Sequence, residues 1–287
     1  MKSIPDLQEK ILIQKQIIKG IKDLPPYPEI ILKAKKTIRS NKSGIGEISK
    51  IIINDPALAS RVLKLANSSF YNVANQIGSI KYASQILGLT TIGQIIETAA
   101  LAPLFKEELK GYNLKPFNFL KHSLFTAFCA KKICSLFYQG YEAEAFTAGL
   151  LHDCGKIILS PWIDKYNKAF SSLKEKNISP IQAEIAITGI HHGQTGYAMA
   201  RLWNLPYNIQ LGIRDHHKQK FQANEKFSAI IKIANLFSLY YFDENSSNFG
   251  EPGEINKVFS EIEMSLDTII EISSAASEQT IETLSRL

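Results

Sequence analysis

The sequence predicts an all-α fold, and three features lead to that prediction. Apolar residues recur at helical spacing along most of the 287-residue chain. No stretch alternates polar with apolar residues between hairpin turns, and capping or helix-breaking residues separate the periodic segments. With 45% hydrophobic and 21% charged residues, the chain has the composition of a globular protein of one large or two moderate domains.

The first part of the chain shows where helices begin and break. Leu24–Ile30 holds three prolines, which remove backbone donors, so it is predicted to be a stiff connector after an amphipathic N-terminal helix. Asp55 followed by Pro56 is typical of a capped helix start. Ile80–Phe105 predicts two helices that break near Gly88. The helix after Pro56 has an apolar stripe formed by Leu58, Val62, Leu65 and Ala66.

A domain boundary is predicted at Gly111–Phe119, where a glycine and a proline separate two helical blocks. The polar, glycine-bearing segment Asp243–Glu254 predicts a loop, and two helices are expected after it. The predicted organisation is an N-terminal helical subdomain at residues 1–110, a second helical subdomain at 111–242, and an acidic loop with C-terminal helices at 243–287.

A cytoplasmic location is expected from three observations. No apolar run approaches the roughly 20 residues that a membrane helix needs. The N-terminal segment is amphipathic and lacks the apolar core and cleavage site of a signal peptide. The three cysteines are odd in number and form no C-x-x-C pair, which argues against a disulfide framework or a zinc finger.

The charge of the chain is uneven. The net charge is +6, yet residues 243–287 contain ten acidic residues and only two basic ones, Lys257 and Arg286. The remaining excess is mostly lysine at solvent-facing helix positions, so a solvated surface is a better interpretation than a nucleic-acid interface. No helix-turn-helix or aromatic stacking motif is evident. The acidic tail could serve as a docking segment.

All six histidines lie between His122 and His217. His122 shares an apolar helix face with Phe119 and Thr126 and should point inward, where a packed core histidine is more common than a metal ligand. Of the pair His216 and His217, the first shares a face with Ile209 and Ile213 and should point inward as well. His191 and His192 form a second pair, which could equally be a solvated loop.

The stretch GLLHDCGK places His152 and Asp153 at a helix end. Neighbouring side chains point about 100° apart on a helix, but both can reach one ion beside the helix terminus. Gly155 is expected to let the chain turn away, and Lys156 adds a cation suited to a phosphate oxygen. Imidazole with carboxylate suits iron, manganese or zinc. From spacing alone, a metal site and a set of packed or solvated histidines are equal alternatives.

Several stretches resemble a known family. LPPYPEI, DPALASRVLKLANSSFYN and SIKYASQILGLTTI resemble the HDOD domain, a bacterial signalling module related to the HD metal-dependent phosphohydrolases. GLLHDCGKIIL, TGIHHGQTGYAMARLWNLP and IRDHH continue the resemblance, which covers about residues 20–240. It implies an N-terminal helical bundle packed on an HD-like bundle and a cytoplasmic regulatory role, with many members lacking part of the metal set.

The resemblance implies ligands for a first ion. His122 matches the first histidine of the HD pattern, and His152 with Asp153 matches the dipeptide. Asn235 stands where the pattern has a final aspartate. Because an asparagine offers a carbonyl oxygen without negative charge, we expect metal affinity to fall by at least about 10–100-fold and bound water to be poorly activated.

A second ion is implied by the remaining histidines, which match further ligands of two-metal phosphodiesterases of cyclic di-GMP: His192, His216 and His217. The glycine-rich signature that follows the histidine pair in those enzymes is absent here. If the site were active, Asp153 would act with the metal and Lys156 would contact the phosphate.

The leading hypothesis is a non-catalytic HDOD signalling module that acts through signalling proteins or a small ligand in a degenerate HD-like pocket. The alternative is a metal-dependent phosphohydrolase acting on a nucleotide or cyclic dinucleotide. Nucleic-acid binding through the lysine-rich body is the third hypothesis, and its signature would be a steep loss of affinity with salt.

Overall fold

A computed structural model describes residues 3–39, 45–68, 71, 73, 76–242 and 265–287. These ranges contain helices and no β-strand, which confirms the all-α prediction. The α-helices are α1 (Leu7–Lys22), α2 (Glu29–Arg39), α3 (Ile45–Ile53), α4 (Pro56–Ala66), α5 (Ile80–Leu101), α6 (Pro116–Phe137), α7 (Glu142–Leu151), α8 (Gly155–Lys165), α9 (Asn167–Glu175), α10 (Pro180–Thr188), α11 (His192–Leu202), α12 (Tyr207–Asp215), α13 (Lys226–Phe242) and α14 (Leu266–Arg286).

The chain divides into two compact units, one formed by residues 1–25 with 107–269 and the other by residues 26–106 with 270–287. The predicted boundaries at 110/111 and 242/243 differ from this division at both ends of the chain. The N-terminal helix α1 belongs with the later residues because it contacts α8, α10 and α11. The predicted loop Asp243–Glu254 lies outside the described residues, and the described part of the C-terminal segment holds one helix, α14.

In the unit formed by residues 26–106 and 270–287, α5 packs against α2, α3 and α4. The predicted start of α4 is confirmed, since the Asp55 side chain accepts a hydrogen bond of 2.9 Å from the Leu58 amide. The predicted break in α5 is also confirmed, with Gly88 at a φ of 77° that favours glycine. The core of this unit includes Ile48, Ile52, Val62, Ile92 and Ile96.

In the other unit, α6 packs against α7 and α13, and α8 packs against α11. Helix α12 contacts α7, α11 and α13, so the ends of several helices meet in one region. The buried side chains include Phe119, Phe125, Phe146, Leu159 and Ile163. Burying an apolar side chain of this size contributes roughly 1.5–3 kcal/mol, so the helix ends are held by a substantial core.

One stretch of the described chain, Ile80–Phe105, is long and apolar enough to cross a membrane by length and composition, with a mean hydropathy of 1.3 in its most apolar window. The expectation that no run approaches this length was therefore too strict. Half of that window is buried within the protein, as in a core helix, so the stretch is weak support for a membrane span.

Candidate metal centre

Five elements bring the predicted ligands to one place. His122 comes from the middle of α6, while His152 and Asp153 lie between α7 and α8. His192 is the first residue of α11, and the pair that follows α12 is formed by His216 and His217. The ligand atoms fall into two overlapping groups, each with members within 4.8 Å of one another: His122, His152 and Asp153 in one, and Asp153, His192, His216 and His217 in the other.

Asp153 is the residue that both groups share, and its two carboxylate oxygens face different histidines. Oδ2 lies 3.5 Å from Nε2 of His122 and 3.5 Å from Nε2 of His152. Oδ1 lies 3.1 Å from Nε2 of His192 and 3.7 Å from Nε2 of His216. This arrangement suits a carboxylate that bridges two metal ions.

The Nε2 atoms of these rings also face one another. The distance is 3.0 Å between His122 and His152, 3.2 Å between His192 and His216, and 2.9 Å between His192 and His217. Two imidazole nitrogens that both present lone pairs at this distance repel each other unless a proton or a cation lies between them. Such a convergence of imidazole Nε2 atoms is what a metal ligand set provides.

Backbone carbonyl groups fix two of these rings. Nδ1 of His152 lies 2.8 Å from the Gly149 carbonyl oxygen, and Nδ1 of His216 lies 2.7 Å from that of Ile213. Because a carbonyl only accepts, Nδ1 must carry the hydrogen in both rings. In the neutral ring Nε2 then presents its lone pair to the centre, as in metal-binding histidines.

Glu184 fixes His192 and was missed by the sequence analysis. This carboxylate on α10 accepts hydrogen bonds from the His192 backbone amide at 2.8 Å and from Nδ1 at 2.8 Å. The Tyr112 hydroxyl donates a further bond of 3.0 Å to Glu184. A signal was available, because Glu184 is fully buried and is the single charged residue in the apolar sequence of α10. Such a carboxylate orients a metal-binding histidine and increases its basicity.

Helix α13 supplies two side chains on the face toward α6. Ser238 Oγ lies 2.9 Å from Nδ1 of His122. Asn235 stands three residues earlier, on the same face of the helix, and is buried. Its Oδ1 makes no hydrogen bond with the described residues, and neither does Oδ1 of Asp153. Buried oxygens without a partner are costly, so both atoms fit the role of metal ligands.

The protonation states of three histidines and of Asp153 fit a cation. Burial lowers the pKa of His152, His216 and His217, which favours the neutral, metal-binding form. His192 differs: burial opposes its charged form, but the Glu184 carboxylate outweighs burial and raises the His192 pKa, so a metal ion at Nε2 would have to displace a proton. Burial also works against ionised Asp153, yet Lys156 and the surrounding histidines hold the pKa of Asp153 well below its ordinary value.

Lys156 lies at the edge of the centre. Its Nζ donates a hydrogen bond of 2.5 Å to Oδ2 of Asp153 and lies 5.8 Å from the centre of the Tyr112 ring. The sequence predicts a cation suited to a phosphate oxygen at this position. In this structure the ammonium group balances the charge of the shared carboxylate, while the side chain keeps 21% of its surface exposed.

Two glycines allow the helices that carry the ligands to approach each other. A Cβ at Gly155 would lie 2.0 Å from the His192 carbonyl oxygen, and a Cβ at Gly149 would lie 2.7 Å from Cα of Ala127. Gly155 begins α8 directly after the turn at residues 152–154 and has no positive φ, so this turn does not need the left-handed backbone of glycine. Its role is to let α8 approach α11 and so to bring Asp153 to His192.

His191 lies outside both ligand groups. It caps α11, since its side chain accepts a bond of 3.2 Å from the Gly193 amide and its own amide donates to Gln194. Of the six histidines, the other five belong to the cluster. With one carboxylate and an asparagine oxygen, these donors suit iron, manganese or zinc, so the residues fit a divalent metal ion.

Several solved structures resemble this fold. An HDOD domain protein of unknown function from Geobacter sulfurreducens has a TM-score of 0.70 at 24% identity, covering 96% of this chain and 99% of its own. A candidate phosphohydrolase from Shewanella amazonensis SB2B has a TM-score of 0.75 at 18% identity, covering 94% and 97%. A candidate signal transduction protein from Marinobacter aquaeolei VT8 has a TM-score of 0.71 at 20% identity, covering 99% and 66%.

Sequence comparison gives the family. An uncharacterized protein of Treponema pallidum (strain Nichols) is 24% identical over 216 residues, which is 74% of this chain and 40% of that protein. This chain therefore spans about two fifths of the curated relative that it matches. Residues 24–219 match the HDOD domain, which is more than half of the chain, and the chain therefore belongs to the HDOD family.

Proposed function

We propose that this chain is a cytoplasmic HDOD signalling module whose HD-like pocket binds a divalent metal ion and presents it to a phosphate-bearing ligand or a protein partner. The observation that carries the proposal is the convergence of histidine Nε2 atoms, 2.9–3.2 Å apart, around the two oxygens of Asp153. A cluster kept only for packing has no need of so many converging imidazole nitrogens, and any pair of them that faces lone pair to lone pair costs free energy without a cation or proton between them.

The histidines and Asp153 would hold the ion, and Asn235 would add a neutral oxygen. A bound divalent ion would polarise a phosphoryl oxygen and lower the pKa of a coordinated water. Glu184 keeps His192 oriented, and Lys156 is placed to exchange its bond with Asp153 for a phosphate oxygen of the ligand.

Weak turnover follows from the charge of the site. Asn235 takes the place of the final aspartate in the HD pattern, so one negative ligand charge is missing. Lys156 further reduces the negative charge by pairing with Asp153 at 2.5 Å. A less negative ligand set makes the bound water a poorer base, because carboxylates near the ion support its activation. The pocket is therefore better suited to holding a ligand than to hydrolysing it.

A second candidate function is metal-dependent hydrolysis of a nucleotide or cyclic dinucleotide. One observation favours it: the two oxygens of Asp153 each face a different group of histidines, as expected of a carboxylate shared by two ions. A candidate phosphohydrolase shares the fold, as does a candidate signal transduction protein, so the relatives support both functions.

One experiment separates the two functions. The chain would be loaded in turn with iron, manganese and zinc and incubated with nucleotides and cyclic dinucleotides, with binding and product formation followed together. The signalling proposal expects metal-dependent binding without products beyond those of a metal-free control. Product formation that needs the metal and disappears in His152→Ala would establish the hydrolase instead. Loading that fails with every metal would contradict both functions.

A matched control comes from the chain itself. His191 neighbours His192 but caps α11 and lies outside the ligand groups. Asparagine is a favourable capping residue, so His191→Asn should keep both the helix start and metal binding. His192→Asn makes the same chemical change one residue later and should remove metal-dependent ligand binding.

A further inference from the structure

The N-terminal helix α1 has apolar side chains on two faces. Ile13, Ile17 and Ile21 are buried against the rest of their unit. Leu7 and Ile18 lie on a different face, with 75% and 53% of their surface exposed. A helix that packs by one face normally carries polar residues on the other. Exposed apolar residues grouped on one helix face mark an interaction surface.

Lysines lie beside this exposed stripe. Lys15, Lys19 and Lys22 are exposed, and the structure pairs none of them with a carboxylate in the described part of the chain. At 100° per residue, all three lie within about a quarter turn of Ile18. The occupant of this surface should therefore present apolar side chains next to carboxylates.

The C-terminal helix α14 has a face of that kind. Ile270 and Ile281 are 55% and 58% exposed. Asp267, Glu271 and Glu278 are also exposed and lie within about a third of a turn of these isoleucines. Ile281 follows Ile270 by eleven residues, the same separation as between Leu7 and Ile18 on α1. On both helices this corresponds to about three turns, or roughly 16 Å.

We propose that α1 of one copy of this chain docks on α14 of a second copy, so that the protein associates with itself. The matched spacing lets Leu7 and Ile18 meet Ile270 and Ile281, in either relative direction of the two helices. The lysines of α1 then lie beside the carboxylates of α14. Apolar burial stabilises the contact, and opposite charge selects the partner face.

Charge reversal tests the pairing. Sedimentation velocity of the full chain would be measured over a wide range of protein concentrations, at low and high salt. The wild type should dimerise, more weakly at high salt, because these charges are exposed and screened. Lys15→Glu with Lys19→Glu should raise the dimer dissociation constant at least roughly tenfold, as should Asp267→Lys with Glu278→Lys. All four changes together should restore association.

A charge reversal on another helix serves as the control. Lys168→Glu with Lys174→Glu makes the same charge change on exposed positions of α9 and should leave the dimer intact. Circular dichroism would confirm that each variant is folded. A wild type that stays monomeric would overturn the proposal, and so would a dimer that ignores both charge reversals.

A membrane surface is the competing occupant of the α1 stripe. Vesicles containing phosphatidylserine would be added to the wild type and to Leu7→Glu with Ile18→Glu. Binding of a monomeric wild type, lost in that variant and unaffected by changes on α14, would replace the second copy with an anionic lipid surface. No binding to vesicles, together with a dimer that the same variant disrupts, would support the self-association.

Discussion

The two units of this chain each bury a carboxylate that pairs with a lysine, but the other groups around these carboxylates differ. In the unit formed by residues 26–106 and 270–287, Glu97 accepts a bond of 2.8 Å from the Tyr27 hydroxyl and another of 2.8 Å from Lys35. In the other unit, Oδ1 of Asp153 makes no hydrogen bond with the described residues and faces histidine lone pairs. Both carboxylates thus pair with a lysine, but Asp153 has a second oxygen, Oδ1, that faces histidine nitrogens and makes no hydrogen bond with the described residues.

The two sites show which features separate a buried carboxylate that only stabilises the fold from one that could bind a metal ion. Both carboxylates are almost fully buried, at 1% and 2% exposure, so burial does not distinguish them. What distinguishes them is the set of groups they face. Glu97 faces a hydroxyl and a lysine, while Asp153 faces a lysine and, on both oxygens, histidine nitrogens, which is a set that can also hold a metal ion. The comparison makes four predictions about metal affinity and stability.

The largest effect is expected for Asp153→Asn, because Asp153 belongs to both groups of ligands. The substitution removes the single carboxylate that the two groups share while keeping the side-chain volume. We expect metal affinity to fall by more than about 100-fold, beyond the range for residues that only support a ligand. Titration of metal-free protein would measure this fall, with His191→Asn as the histidine control. Unchanged affinity would show that Asp153 is not a ligand.

A smaller effect is expected for Glu184→Gln. Glutamine can still accept a hydrogen bond from His192 but lacks the charge that increases the basicity of the ring. Metal affinity should fall about 10–100-fold, with the fold unchanged by circular dichroism. Glu175→Gln, at an exposed carboxylate of α9, should leave the affinity as it is. If both variants bound metal like the wild type, Glu184 would have only a structural role.

For Asn235→Asp we expect metal affinity to rise rather than fall. The buried oxygen of Asn235 makes no hydrogen bond with the described residues, and the change adds a negative charge three residues before Ser238, which contacts His122. We expect metal affinity to rise about tenfold, the lower end of what such polar support contributes. Without metal the same variant should be less stable, because a buried carboxylate is then left without its cation. Competition with a chelator would measure the affinity, and a decrease would place Asn235 outside the centre.

No change in metal affinity is expected for Glu97→Gln, because Glu97 lies outside the candidate metal centre. Here the loss should be in stability, about 1–3 kcal/mol in the free energy of unfolding, because Lys35 and Tyr27 lose their charged partner. Urea denaturation would measure this loss. If Glu97→Gln lost metal but kept its stability, Glu97 and not Asp153 would be the carboxylate that holds the ion.

The sequence predicted the helical fold and the identity of the clustered side chains better than it predicted the residues that orient those side chains. His122 and His216 could be assigned to inward faces because helical periodicity fixes the direction of a side chain. Asp55 and Gly88 could be assigned because capping and a positive φ depend on local residues. The residues of the candidate metal centre could be grouped only through the family resemblance, since their spacing along the chain has no regular period.

The remaining features depend on contacts between distant segments. Glu184 on α10 orients His192 at the start of α11 by accepting a hydrogen bond from its ring. Gly155 allows the close approach of the His192 backbone, which lies 37 positions away in the sequence. The assignment of α1 to the unit of residues 107–269 depends on its contacts with α8, α10 and α11. Local propensity contains no information about such contacts, so the predicted boundaries at 110/111 and 242/243 followed helix-breaking residues and a polar, glycine-bearing segment.

The most direct measurement is the metal content of the wild-type protein, purified without a chelator or a histidine tag and analysed beside Asp153→Asn. The account predicts stoichiometric iron, manganese or zinc in the wild type and in Glu97→Gln, and none in Asp153→Asn. A wild type that remains empty after incubation with each of these metals would contradict the account, because Asp153 and its histidines would then be a packed cluster without a cation.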